Sequence, residues 1–192
     1  MNLADIVKEA KKYEAKLLSQ VTSKVTGMFV EFLRSIDYNN IGSSTPNISI
    51  IQVVEHEHLN LLYSGPGFYV IATDFKHDEN GCIFPIHEKF KAIYRGHSGT
   101  LKRRIESHLF NETYNAGYEK RKEGGKSSEM PFTACMKIEN GINGINVDKS
   151  PYSDFKWYVI QHKMPGSSEL IRKQVEAAFD DVFNKPLANR DR

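Results

Sequence analysis

The chain has 192 residues, 40% of them hydrophobic, which suits one domain with a substantial core and room for an appendage. With 26 Lys and Arg against 24 Asp and Glu the net charge is +2, so a polyanionic partner would have to be met by local patches rather than a global field. No apolar run approaches the roughly 18 residues of a membrane span, so no membrane partner is expected.

Residues 1–20 interleave charged and apolar positions and lack the core of a signal peptide. Apolar residues at 3, 6, 7, 10, 13, 17, 18 and 21 recur at helical spacing, and a second set at 25, 28, 29, 32, 33 and 36 continues it. Gly27, with Thr22, Ser23 and Thr26 close by, predicts a break into two helices. After the turn-forming stretch DYNNIGSSTPN comes ISIIQVVEHEHL, whose β-branched residues predict a strand. That strand would put His56 and His58 on one face, but no third ligand is in register, so zinc is not expected.

Gly65 and Pro66 punctuate the chain before FYVIATDF, a core strand, and Asn80-Gly81 predicts a hairpin turn into a second strand, FKAIYRG. Thr100 is placed to cap a helix running to about Phe110. NAGYEKRKEGGKSSEMP predicts a long mobile loop, FTACMKI a third strand, NGINGINVDKSPYSD a loop and FKWYVIQHK another strand. Ser167 or Ser168 would cap a last helix that ends near Pro186. Cys82 and Cys135 have no motif spacing and are expected to be reduced thiols in a cytoplasmic protein. The class is therefore α+β, with β-β-α-β-β-α following a helical arm.

The helix after Thr100 carries two neighbouring arginines. Its buried stripe is Leu101, Ile105 and Leu109; Arg104 and His108, four apart, border that stripe, whereas Arg103 points away from it. On the last helix Glu169, Glu176 and Asp180 share one flank, so helix geometry alone does not choose among them.

Gly67-Phe68-Tyr69, then Tyr94-Arg95-Gly96, then Arg104 and His108, then Glu176 ahead of Phe183, Pro186 and Asn189 is an order that resembles the GIY-YIG nuclease superfamily. The resemblance covers roughly residues 66–190. The sequence departs from the family pattern in a longer gap between Tyr69 and Tyr94 and in Arg95, which stands where an apolar residue is usual. The resemblance implies a GIY-YIG core with a small central, mainly antiparallel sheet flanked by helices. Residues 61–192 would be the catalytic domain, and residues 1–60 an N-terminal helical arm and strand that serves dimerisation, DNA binding or cover of the core.

The same resemblance implies a Mg²⁺-dependent DNA endonuclease leaving 5′-phosphate ends, with Mn²⁺ able to substitute. Its catalytic set would be Tyr69, Tyr94, Arg104, His108 and Glu176, with Glu176 as metal ligand and Glu169, one heptad earlier, as the alternative. Tyr69 would deprotonate the attacking water, directly or through a second water, and a nearby arginine and metal would favour its phenolate. His108 would contact phosphate, and His97 and Asn189 are further candidate site residues. Arg95, Lys102, Arg103, Lys120, Arg121, Lys122 and Lys126 are candidate contacts to the DNA backbone. A compact core of this kind is most like a type II restriction enzyme acting on double-stranded DNA as a homodimer. The alternatives are a phage, mobile-element or repair nuclease, or a DNA-binding domain that keeps the fold without cutting.

Overall fold

The computed structural model describes residues 3–41, 45–75, 79–86, 89–125, 131–138 and 143–189. It opens with helix α1 (Leu3–Ser35), which is continuous. The break expected at Gly27 does not occur. Thr22 and Thr26 turn their hydroxyls onto the carbonyls of Ser19 and Thr22 at 3.0 and 2.9 Å, keeping their polar groups within the helix. One glycine costs a helix about 1 kcal/mol relative to alanine. The turns beyond it are held by packing: Leu33 is buried, and Phe29 and Val30 pack into the same cluster as Val175 and Phe179. Residues 3–21, by contrast, are exposed throughout. Among the described residues no helix is long and apolar enough to cross a membrane.

Four strands follow: β1 (Ile48–Val53), β2 (Gly67–Thr73), β3 (Lys91–Ser98) and β4 (Trp157–Lys163). They form one sheet in the order β1-β4-β2-β3, with every neighbouring pair antiparallel. The class is α+β, as expected. β1 pairs with β4, Ile50 opposite Ile160, so the sheet itself crosses the division near residue 60. The strand expected through His58 stops at Val53, and His56–Leu61 form a 3-10 helix instead. His58 Nδ1 accepts hydrogen bonds from the amides of Val54 and Glu55 at 3.2 Å, which folds the chain back there. His56 pairs separately with Glu106 at 2.9 Å.

β2 is buried along its whole length because both sheet faces are covered. Tyr69 and Ile71 point to the side holding helix α2 (Leu101–Leu109) and Trp157; Phe68, Val70 and Ala72 point to the side holding α1 and helix α4 (Glu169–Phe183). Between β2 and β3 no tight hairpin forms at Asn80-Gly81. Asn80 is buried, its amide nitrogen donating to Ala92 O at 2.8 Å and its oxygen accepting from Cys82 N at 3.2 Å. Within the connection Phe84 packs against Phe179 and Phe183, with ring centroids 5.4 and 5.1 Å away.

Two further expectations are corrected. Residues 115–123, read as loop, belong to helix α3 (Asn111–Glu123). Tyr114 is buried on its inner face, and Lys120, Arg121 and Lys122 lie in its last turn, where cations complement the helix dipole. FTACMKI runs outside the sheet and makes only an isolated bridge, Met136 to Asn189. The outer edge of β3 is already taken: Ala188 N donates to Ile93 O at 2.9 Å, and the Asn189 side chain bonds both backbone groups of Arg95 at 2.7 Å. α4 begins at the expected place, with Ser168 Oγ accepting from Ile171 N.

Candidate active site

β3, the start of α2, residues 133–137 and α4 enclose a cleft of about 660 Å³. Tyr94, Arg95, His97, Arg104, Glu176 and Asn189 all line it, which brings six of the expected catalytic, candidate-site and DNA-contact residues to one place.

The tyrosines meet because of Gly96. It lies opposite Tyr69 across the β2–β3 ladder, and a Cβ there would come within 2.8 Å of the Tyr69 hydroxyl. The ring centroids of Tyr69 and Tyr94 are 6.0 Å apart. Only Tyr94 reaches the cleft wall; Tyr69 is fully buried behind it, and its hydroxyl makes no hydrogen bond of normal geometry. Burial opposes the phenolate expected of Tyr69. Burial pushes Tyr94 up to about 12 and holds Tyr69 well above its ordinary 10, with the neighbouring phenol and Glu176 adding to the Tyr69 shift. Arg104 acts in the opposite direction on both and does not outweigh desolvation.

His108 is fully buried, with its ring 4.6 Å from that of Tyr94 and 6.1 Å from that of Tyr69. It backs the two phenols and is not part of the cleft wall, so the phosphate contact expected of it is not available in this form. Burial, then the Arg104 charge, holds it well below the ordinary histidine value, and it is neutral.

Arg104 is braced by the chain it faces. Its Nη1 donates to Thr133 O at 2.9 Å, its Nη2 to Cys135 Sγ at 3.0 Å, and its Cζ lies 5.3 Å from the centre of the Phe132 ring. Arg103 does not simply point away, as its helix position suggested. It lies over the same ring at 5.7 Å, so the two arginines flank Phe132 together.

The acidic flank of α4 is now resolved. Glu176 lines the cleft; Glu169 is exposed outside it and pairs with Lys173 at 2.7 Å. Asp180 is engaged by Arg95, whose Nε and Nη2 reach its two oxygens at 3.0 and 2.6 Å. The third guanidinium nitrogen of Arg95 sits 3.3 Å from Glu176 Oε1, and His97 Nδ1 lies 3.9 Å from the same oxygen. Arg95 therefore ties β3 to α4 while lining the cleft. Burial and nearby cations, Arg172 first, push His97 down to about 4.

Asn189 lines the cleft, but both ends of its amide are bonded to the Arg95 backbone, so it fixes the chain end rather than offering a phosphate contact. Lys102 donates to Asn60 at 2.7 Å. Lys120, Arg121 and Lys122 are exposed at the end of α3, away from the cleft wall, and Lys126 lies outside the described residues.

Sequence reasoning missed Lys137, Lys173 and Lys185, which line the cleft with Arg104. Lys173 precedes Glu176 by three residues on α4, a spacing that shares a helix face and could have been read. Lys137 and Lys185 lie on irregular segments, where no periodicity reports direction. Among the described lining residues these cations face one carboxylate, Glu176, giving a wall suited to an anionic ligand.

Among the described residues no group of three His, Cys, Asp or Glu is arranged to hold a metal ion. A single cleft-facing carboxylate with room around it fits hydrated Mg²⁺, which commonly binds one or two carboxylates, water and substrate phosphate. Compared with protein-family models, curated proteins and solved structures, the chain gives no significant match.

Proposed function

We propose that the chain is a Mg²⁺-dependent DNA endonuclease of the GIY-YIG kind. The observation that carries this reading is one cleft wall bearing Tyr94, Arg104 and Glu176 amid Lys137, Lys173 and Lys185. An anionic backbone would seat against the lysines, as phosphate contacts position a duplex without reading its sequence. Glu176 would hold the ion, Mg²⁺ or Mn²⁺ in its place, which when bound polarises the phosphate and stabilises the leaving oxygen. Arg104, fixed on Thr133 and Phe132, aims its charge at the oxygens that gain negative charge as the phosphorus–oxygen bond breaks. Tyr94, neutral, would donate its hydroxyl to a non-bridging phosphate oxygen, and the attacking water would pass its proton to bulk solvent at the open cleft. Tyr69, neutral and fully buried, is better suited to supporting Tyr94 than to acting as the base.

The reading extends to a restriction-type enzyme working as a homodimer on double-stranded DNA, since one cleft per chain cuts one strand at a time. A second reading, a DNA-binding domain that does not cut, is favoured by one contact: Arg95 already neutralises Glu176 at 3.3 Å. Plasmid incubated with the protein in Mg²⁺ and in EDTA separates the two. Cleavage that needs the metal supports the nuclease, and retention of DNA without nicking across metals and sequences supports the second reading.

A further inference from the structure

The first half of α1 lacks cover. Every residue from 3 to 21 is exposed, yet Leu3, Val7, Leu17, Leu18 and Val21 lie along one face, continued by Met28 and Phe32. Leu3 is 75% exposed and Leu17 and Met28 are each 62% exposed, which is unusual for a stripe this regular. A helical segment of that length without tertiary support is marginal in water.

We infer that α1 pairs antiparallel with α1 of a second copy of this chain, about a two-fold axis beside Leu17 and Leu18. With Glu14 counted among them, the positions along this face have a spacing that reads the same from either end. Running one copy against the other sets Leu17 opposite Leu18, Ala10 opposite Val25, Val7 opposite Met28 and Leu3 opposite Phe32. Glu14, opposite Val21, is the one charged residue in the seam.

The far end of the stripe supplies a receptor for the near end. Met28 and Phe32, with Ile171 and Val175 of α4, line an apolar groove of about 510 Å³. Antiparallel pairing delivers the partner's Leu3 end to that groove, whereas parallel pairing leaves the groove open. Burying one aliphatic side chain removes ~60–120 Å² from water, at ~25 cal/mol per Å² for ~1.5–3 kcal/mol. The nine apolar stripe positions on each of two helices then bury roughly 1,000–2,000 Å², reaching the ~1,600 Å² of a stable interface. The pairing goes beyond the nuclease reading and does not depend on the chemistry of the cleft.

Sedimentation of the full chain without DNA, combined with disulfide trapping in a Cys135→Ser background, tests the proposal. The expected result is a dimer that Leu17→Asp converts to monomer. A chain carrying Val7→Cys and Met28→Cys together is expected to form disulfide-linked dimers, and chains carrying either one alone are not. Linked dimers of the Val7→Cys single variant would mean parallel pairing and overturn the proposal. A monomer at tens of micromolar, or a dimer indifferent to Leu17→Asp, would also overturn it, leaving the stripe to a different partner. None of these outcomes depends on DNA cleavage.

Discussion

Arg95 reaches from β3 to grip Asp180 on α4 through two parallel contacts, Nε to Oδ1 at 3.0 Å and Nη2 to Oδ2 at 2.6 Å. The pair is mostly shielded, with side chains 14% and 26% exposed, and it leaves the remaining nitrogen beside Glu176. An arginine in a position where the GIY-YIG pattern is apolar thus becomes a strut that also holds the proposed metal ligand.

Arg95→Leu removes the strut and leaves Asp180 without its cation. The expected loss is about 1–3 kcal/mol of unfolding free energy in a urea titration. Glu176 simultaneously loses a competing cation, so Mg²⁺ binding measured by calorimetry is expected to tighten. A variant as stable as the parent, binding Mg²⁺ no better, contradicts both roles.

Glu176→Gln is expected to abolish cleavage while leaving DNA binding intact or tighter, since a negative charge near the phosphates disappears. Glu169→Gln is expected to keep most of the activity, because that carboxylate sits outside the cleft on Lys173. Cleavage assays on both variants beside a filter-binding measurement check the pair; the opposite ranking would move the metal ligand one heptad.

Arg104→Ala is expected to lower the cleavage rate by ~10²–10³-fold, the typical loss of one transition-state donor. Arg103→Ala is expected to cost far less, since that side chain packs on Phe132 without lining the cleft. Lys137→Ala and Lys173→Ala are expected to weaken binding and flatten its salt dependence by about one counterion each. Rates and affinities at several salt concentrations distinguish these patterns, and equal salt-sensitive losses from both arginines would reduce Arg104 to a backbone contact.

The sheet strands with steady apolar content, β2, β3 and β4, were legible in the sequence, as were α2, the Ser168 cap and the general position of Arg104. What escaped reading was decided by contacts distant in the chain. The FTACMKI segment has strand composition, but the edge it would have joined is occupied by Ala188 and Asn189. Local composition likewise could not announce that Tyr114 would anchor α3 or that Phe84 would draw the β2–β3 connection onto α4. In the cleft, the motif named several residues that line it, but it said nothing of burial. His108 and Tyr69 turned out to lie behind Tyr94, and that burial opposes the ionisation expected of Tyr69.

His162 gives a pH prediction away from the cleft. It is buried against Tyr38, Phe68 and Phe32, and burial lowers it from 6.5 to about 4. The unfolded chain therefore takes up this proton first. The contribution to stability is complete above pH 6.5, falls as the pH drops and is lost by about pH 4. Between pH 7 and pH 5 the parent is expected to lose about 2 kcal/mol more than His162→Leu. Urea midpoints at the two pH values measure the difference, and parallel losses would mean that His162 is solvated.

The proposed function is tested most directly by digesting a supercoiled plasmid in Mg²⁺, with EDTA and Glu176→Gln as controls, and sequencing the ends. The account predicts metal-dependent double-strand cuts at defined positions with 5′-phosphate ends, absent from both controls. Cutting that persists in EDTA with trace metal excluded, or that survives Glu176→Gln, would contradict it.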